Sequence, residues 1–319
     1  MGSLTDIPGL RVGHVTDEQA LTGCTVILCE QGAAGGVDIC GGATGTRDLS
    51  PLDPWHVVPH MHAVMLSGGS AFGLDAAGGV MRYLEEQGCG YHIGNACVPI
   101  VPAAVIFDLA VGDPGVRPTV AMGYAACQRA TADPVAEGSI GAGTGATVGK
   151  ARGMDYAMKG GIGTVSVTFA DGVVVAALVV ANGWGDVVKD GTIVAGARDD
   201  DGGFADAAHL IRSGQLRRQV VSLNTTLGVV ATNARFTRVD LKKIAQLAHQ
   251  GLTRTVVPVH TMFDGDLIFA LSMGSQTADL HRVGFAAADM IAQAVIRAVT
   301  QAQTRGGIPS YAEVIRVRT

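Results

Sequence analysis

A few short segments of the chain carry residue types that could break or bind a polar bond. The first is Val221-Ser-Leu-Asn224-Thr225-Thr226, which places hydroxyls at the head of an apolar run reaching Asn233. A threonine hydroxyl is a weak nucleophile unless a base lies beside it. On residue types alone, an Asn-Thr pair there reads first as turn chemistry and only second as a nucleophile. The second segment, Gly141-Ala-Gly-Thr-Gly-Ala-Thr-Val-Gly-Lys150, imitates a phosphate loop. It fails at two places: Thr144 stands where a glycine is required, and Ala151 follows the lysine where a hydroxyl is required. The third, Asp264-Gly265-Asp266, lacks the further oxygen ligands of a calcium loop, because Ile268 occupies one of their positions. Gly68-Gly69-Ser70-Ala71-Phe72 stops short of a serine-hydrolase elbow, since Phe72 replaces the closing glycine. His60 and His62 have no accompanying ligand set, so no metal site is expected.

The elements that must position these residues are legible from pattern. Thr164–Ala170 and Val173–Ala181 flank Asp171-Gly172, a two-residue hairpin signal between β-branched runs. Leu227–Thr232 and Leu267–Met273 read as short buried strands. Thr237-Arg-Val-Asp240 resembles a capping box, and Leu241, Ile244, Ala245, Ala248 and Leu252 then recur at helical spacing. Ser70–Gln87 and Val283–Gln303 read as further helices. The elements do not alternate as in a nucleotide-binding α/β domain, so an α+β layered sandwich is expected. Asp199–Gln219, with its acidic run, glycine pair and basic cluster, is expected to be an exposed loop or linker.

Composition narrows the function classes. Lys and Arg total 23 against 28 Asp and Glu, a net charge of −5, so the basic footprint of a nucleic-acid binder is missing. Charged residues make up 16% of the chain, below the roughly 25% usual for soluble domains. A surface so short of charge is expected to be covered partly by other subunits. The apolar run Val173–Ala181 is too short to span a bilayer, and no membrane association is expected. The first residues lack the basic and apolar regions of a secretory signal. Six irregularly spaced cysteines are expected to be reduced and buried, which points to the cytoplasm.

Taken together, separated motifs resemble the DmpA-type family of L-aminopeptidase/D-amidase-esterases, which includes β-peptidyl aminopeptidases and nylon-oligomer hydrolases. The resemblance rests on Ser67–Ala77, Gly141–Lys150, Met158–Thr164, Asn224–Thr232 and His260–Asp266, in family order through most of the chain. It implies a four-layer αββα sandwich of the N-terminal-nucleophile type, shared with ornithine acetyltransferases. It implies one domain, residues 1–319, that cuts itself between Asn224 and Thr225 into an α-chain, 1–224, and a β-chain, 225–319. The new N-terminal Thr225 would then be the nucleophile. Its own α-amine, with an ordinary pKa of about 7.7–8.0, can take the hydroxyl proton near neutral pH.

The resemblance also assigns supporting roles. Lys150 would keep that amine neutral as a nearby cation, Asn182 would donate to an oxyanion, and Asp264 and Asp266 would orient the hydroxyl and the amine. Phe107 stands where relatives carry a tyrosine, which removes a hydroxyl that could help bind substrate. Lys159 is a second candidate cation, ranked below Lys150. No cofactor is required. The implied substrates are small peptides, D-amino-acid amides or esters, β-peptides or ω-amino-acid oligomers, and the implied assembly is a homo-oligomer, commonly a tetramer, of processed units. Two alternatives remain open: an acyltransferase of the ornithine acetyltransferase kind, and an inactive binding homologue.

Overall fold

In a computed structural model, which describes residues 2–216 and 224–318, one long strand joins two sheets. That strand, β2 (Thr22–Ile39), follows β1 (Arg11–Asp17). Its first half pairs with β1 and with β4 (Met61–Ser67). Beyond β4 lie β5 (Ala103–Val105) and then β3 (Gly45–Arg47). The second half of β2 pairs antiparallel with β9 (Leu267–Gln276). From there the other sheet continues through β8 (Thr225–Ala234) and β7 (Val174–Asn182) to β6 (Gly161–Thr168).

Side-chain alternation sorts the buried residues into three apolar layers. Ile27 and Leu66 from one sheet meet Leu178, Leu227 and Phe269 from the other. The opposite faces of β7, β8 and β9 turn Val179, Val230 and Ile268 toward α3 (Arg238–Thr255) and α4 (Leu280–Thr300). On the far side, Val26 and Met65 pack under α1 (Ala76–Glu86) and α2 (Val120–Gln128). Helix, sheet, sheet, helix is the expected αββα order. It explains why β7 has no polar alternation: both of its faces are covered.

Most expected elements are present. β6 and β7 form the hairpin across Asp171-Gly172. The capping box at Thr237 is formed by reciprocal bonds with Asp240, and the five apolar residues that follow at helical spacing are all buried. α4 is long and apolar enough by composition to cross a membrane, although the sequence reading had singled out no such segment. It lies against β6 and β7, with Ile291, Ala294, Val295 and Ala298 buried there.

Two expectations need correction. Residues 199–216 are not simply a loop: they include a short helix, Ala207–Arg212, whose first N–H donates to the buried Asp186 carboxylate at 2.7 Å. Residues 217–219 of that zone, like 221–223 ahead of Asn224, lie outside the described residues. The cysteines are all free, but they are not all buried: Cys24, Cys29 and Cys127 are, whereas Cys40 is exposed and Cys89 and Cys97 are half-buried.

Candidate active site

Thr225 is the first residue of β8, and it sits opposite Asn182, the last residue of β7, in the antiparallel ladder. Both are buried. The apolar alternation of β8 begins only at Leu227, so Thr225 and Thr226 are buried polar residues at the head of the strand. Just upstream, Asn224 forms a short parallel bridge with the segment before β9. Its N–H donates to the Phe263 carbonyl at 2.9 Å, and its own carbonyl oxygen accepts from Gly265 N–H at 2.7 Å. The same oxygen accepts from the Thr225 hydroxyl at 2.5 Å. The Asn224–Thr225 bond is therefore held with its carbonyl polarised by a backbone donor and its adjacent hydroxyl in contact.

In the sequence Gly265 stands out only as the residue between Asp264 and Asp266. A Cβ there would come within 2.7 Å of both the Ala43 carbonyl oxygen and Thr225 Oγ1, so only glycine admits this approach. The acids on either side are both buried, but in the uncut chain neither touches Thr225. In this chain the Thr225 nitrogen is still an amide. Asp264 accepts from Trp184 N–H at 2.9 Å and from the Thr261 hydroxyl at 2.6 Å. Asp266 accepts from Thr226 N–H at 2.7 Å, and its other oxygen accepts from the backbone and ring of His260, each at 3.1 Å. Burial, and then the charge of Asp266, push the Asp264 carboxyl up to about 6.

Lys150 arrives from the glycine-rich segment. Gly149 turns the chain inward at a φ of 69°, with the backbone of Gly196 so close that a Cβ would meet it at 2.1 Å. The Lys150 ammonium then donates to the Asn182 carbonyl at 2.9 Å and to Asn182 Oδ1 at 3.1 Å. Its backbone N–H donates to Trp184, whose own N–H is held by Asp264. This lysine is fully buried rather than solvated, and burial lowers its pKa to about 7 against the opposing pull of Asp264.

Asn182 is held on both sides of its amide. Oδ1 accepts from Lys150 and from Thr147 N–H at 3.0 Å, while Nδ2 donates to the Phe107 carbonyl at 3.2 Å. That leaves one Nδ2 hydrogen for an incoming oxygen. Phe107 thus contributes to the site through its main chain, whatever its ring lacks.

Lys159 is equally buried, but its ammonium donates to the Thr144 and Ala146 carbonyls at 2.8 and 2.7 Å. His62 Nδ1 accepts from Ile100 N–H at 3.2 Å, a structural bond that agrees with leaving it out of any ligand set. Trp184, Thr147 and Gly265 were missed by sequence reasoning, because each acts through its backbone and spacing carries no signal for that.

Comparison with known proteins agrees with this architecture. Residues 2–311 match the model of Peptidase family S58. An uncharacterized aminopeptidase of Mycobacterium leprae is 42% identical over 98% of this chain and 93% of its own length. A 6-aminohexanoate-oligomer endohydrolase of Agromyces is 33% identical over 84% of this chain and 74% of its own. Among solved structures, the L-aminopeptidase D-Ala-esterase/amidase from Ochrobactrum anthropi superposes with a TM-score of 0.77 at 22% identity, covering 99% of this chain and 92% of that one. A Burkholderia β-aminopeptidase gives 0.73 at 22% identity, again over 99% and 92%. The Ochrobactrum structure is a variant of the N-terminal-nucleophile hydrolase fold, which this chain shares, and the chain belongs to peptidase family S58.

Proposed function

We propose that the chain is made as an inactive precursor, cuts itself between Asn224 and Thr225, and then hydrolyses small amides with Thr225 as nucleophile. The observation that carries this reading is the Asn224 carbonyl, held by Gly265 N–H at 2.7 Å and touched by the Thr225 hydroxyl at 2.5 Å. In the first step Thr225 Oγ1 bonds to the Asn224 carbonyl carbon, and the hydroxyl proton passes to Lys150. Burial lowers the Lys150 pKa to about 7, which suits it to accept that proton. Gly265 N–H stabilises the oxyanion as it forms. The C–N bond then breaks, the Thr225 nitrogen takes a proton and becomes the α-amine, and an ester joins the two residues. Water hydrolyses the ester, leaving the Asn224 carboxylate and a free Thr225 hydroxyl.

After the cut, the α-amine serves as base for substrate, and Asn182 Nδ2 with Gly265 N–H supplies donors for the tetrahedral intermediate. The two pieces remain interlocked, since β8 and β9 are hydrogen-bonded to each other and lie between β7 and β2. Substrates in this reading are short peptides and small amides with a free amine. The support is the family membership together with relatives named as aminopeptidases and as a 6-aminohexanoate-oligomer endohydrolase.

We further infer a homo-oligomer of processed units. Trp55 and Val57 are 94% and 82% exposed on a loop that Arg238 clamps through carbonyls of Pro51, Asp53, His56 and Val58. Rigid exposed apolar side chains of this kind suit an interface.

The function is tested by offering the purified protein aminoacyl-p-nitroanilides and 6-aminohexanoate oligomers, with and without hydroxylamine as an acceptor. Release of amine from at least one panel member, lost in Thr225→Ala, supports the hydrolase. Turnover that appears only with the added acceptor favours acyl transfer instead.

A further inference from the structure

Just behind Asp264 and Asp266 lies a cluster that the proposed mechanism does not use. Cys40 follows β2 directly, His249 lies on the inner face of α3, and His260 precedes β9. One ligand atom from each of these three residues lies within 4.8 Å of the other two. The imidazole rings meet edge to face with centroids 4.8 Å apart.

Each imidazole is anchored through one nitrogen only. His249 Nε2 lies 3.2 Å from the Asp38 carbonyl oxygen. His260 Nδ1 lies 3.1 Å from the Asp266 carboxylate. Both anchors are pure acceptors, so in each neutral ring the anchored nitrogen carries the proton and the other nitrogen keeps its lone pair. Those other nitrogens, His249 Nδ1 and His260 Nε2, are buried and have no hydrogen-bond partner among the described residues. Leaving a buried imidazole nitrogen without a partner carries a desolvation penalty. An acceptor behind one nitrogen and an open lone pair on the other is the arrangement that orients histidines as metal ligands.

We propose that Cys40, His249 and His260 form a site for a divalent d-block cation of the zinc class. A thiolate with two imidazoles matches the ligand preference of that class and of no hard cation such as magnesium or calcium. The fourth position falls to water, since the Asp38 carboxylate lies on the protonated side of His249, 3.7 Å from Nε2. The site joins the catalytic groups through one residue: Asp266 holds His260 with one oxygen and Thr226 N–H with the other. A bound cation would therefore fix the Asp266 carboxylate against Thr226, the residue after the proposed nucleophile. The inference does not depend on the proposed self-cleavage or on the substrate.

The untagged chain, stripped with EDTA, is titrated with Co²⁺ and followed by absorption, and then challenged with Zn²⁺. The expected result is one Co²⁺ per chain with a thiolate-to-cobalt charge-transfer band, lost on adding Zn²⁺. Cys40→Ser removes the band, and His249→Gln weakens binding by at least about tenfold. Cys40 is exposed, so its serine variant keeps the fold and carries the test even where the buried His249 variant does not. No band in the wild type, or the same band in Cys40→Ser, overturns the site.

Discussion

Lys150 and Lys159 are nine positions apart in the sequence, both fully buried, and both brought by burial to a pKa of about 7. By burial and acidity they are indistinguishable, yet they serve different purposes. Lys159 ties two carbonyls of the glycine-rich segment, Thr144 and Ala146, to the strand that carries it. Lys150 instead holds both oxygens of Asn182, the residue directly opposite Thr225. A perturbed lysine marks a functional site only when its partners do. That comparison says which of the two should carry chemistry and which should carry stability.

The sharpest way to break it is to replace each lysine with methionine. Lys150→Met should slow appearance of the cut chain by about 10²–10⁴-fold, the range that a positioned base contributes. Lys159→Met should cut within about threefold of wild type while losing about 2–4 kcal/mol in urea unfolding, because two buried carbonyls lose their donor. Equal losses of cutting in both variants would erase the distinction. Gly265→Ala should come next. Its methyl would press on Thr225 Oγ1 and the Ala43 carbonyl, and cutting should fall by at least about 10²-fold, as when an oxyanion donor is displaced.

A smaller effect follows from the lysines' titration. Each is held near 7 in the folded chain against an ordinary 10.5. Above pH 7 the unfolded chain keeps protons that the native chain has lost, so stability should rise from pH 7 to pH 9. The buried thiols of Cys24 and Cys127, pushed up to about 12, reverse the sign above their unfolded value of 9.0. Urea midpoints at pH 7 and 9 check this, and the rise should be smaller in Lys159→Met. The smallest effect is expected at Phe107, whose carbonyl serves Asn182. Phe107→Tyr should leave cutting within about threefold, since the backbone bond is unchanged.

Much of the frame was legible because it is local. The Asp171-Gly172 hairpin, the Thr237 capping box and the apolar run behind Thr225 each lie within a dozen residues. The site residues Thr225, Lys150, Asn182, Asp264 and Asp266 came from resemblance, and the fold does gather them around one peptide bond. What stayed hidden was non-local or carried by the backbone. Gly265 and Trp184 act through main-chain N–H and C=O groups that no spacing rule marks, and Gly265 also through its missing Cβ. Cys40, His249 and His260 share no spacing rule, because β2, α3 and the turn before β9 are brought together only by sheet order. The depth of Lys150 was equally invisible, since burial and not residue type moved its pKa.

The central claim is that Thr225 cuts the chain ahead of itself, and intact mass spectrometry of the denatured protein beside Thr225→Ala tests it directly. A fragment of about 9.7 kDa beginning at Thr225 is expected in the wild type, as an N-terminal nucleophile requires. The same fragment should be missing from the variant. A chain that remains whole at 32.6 kDa and still hydrolyses amides would contradict it.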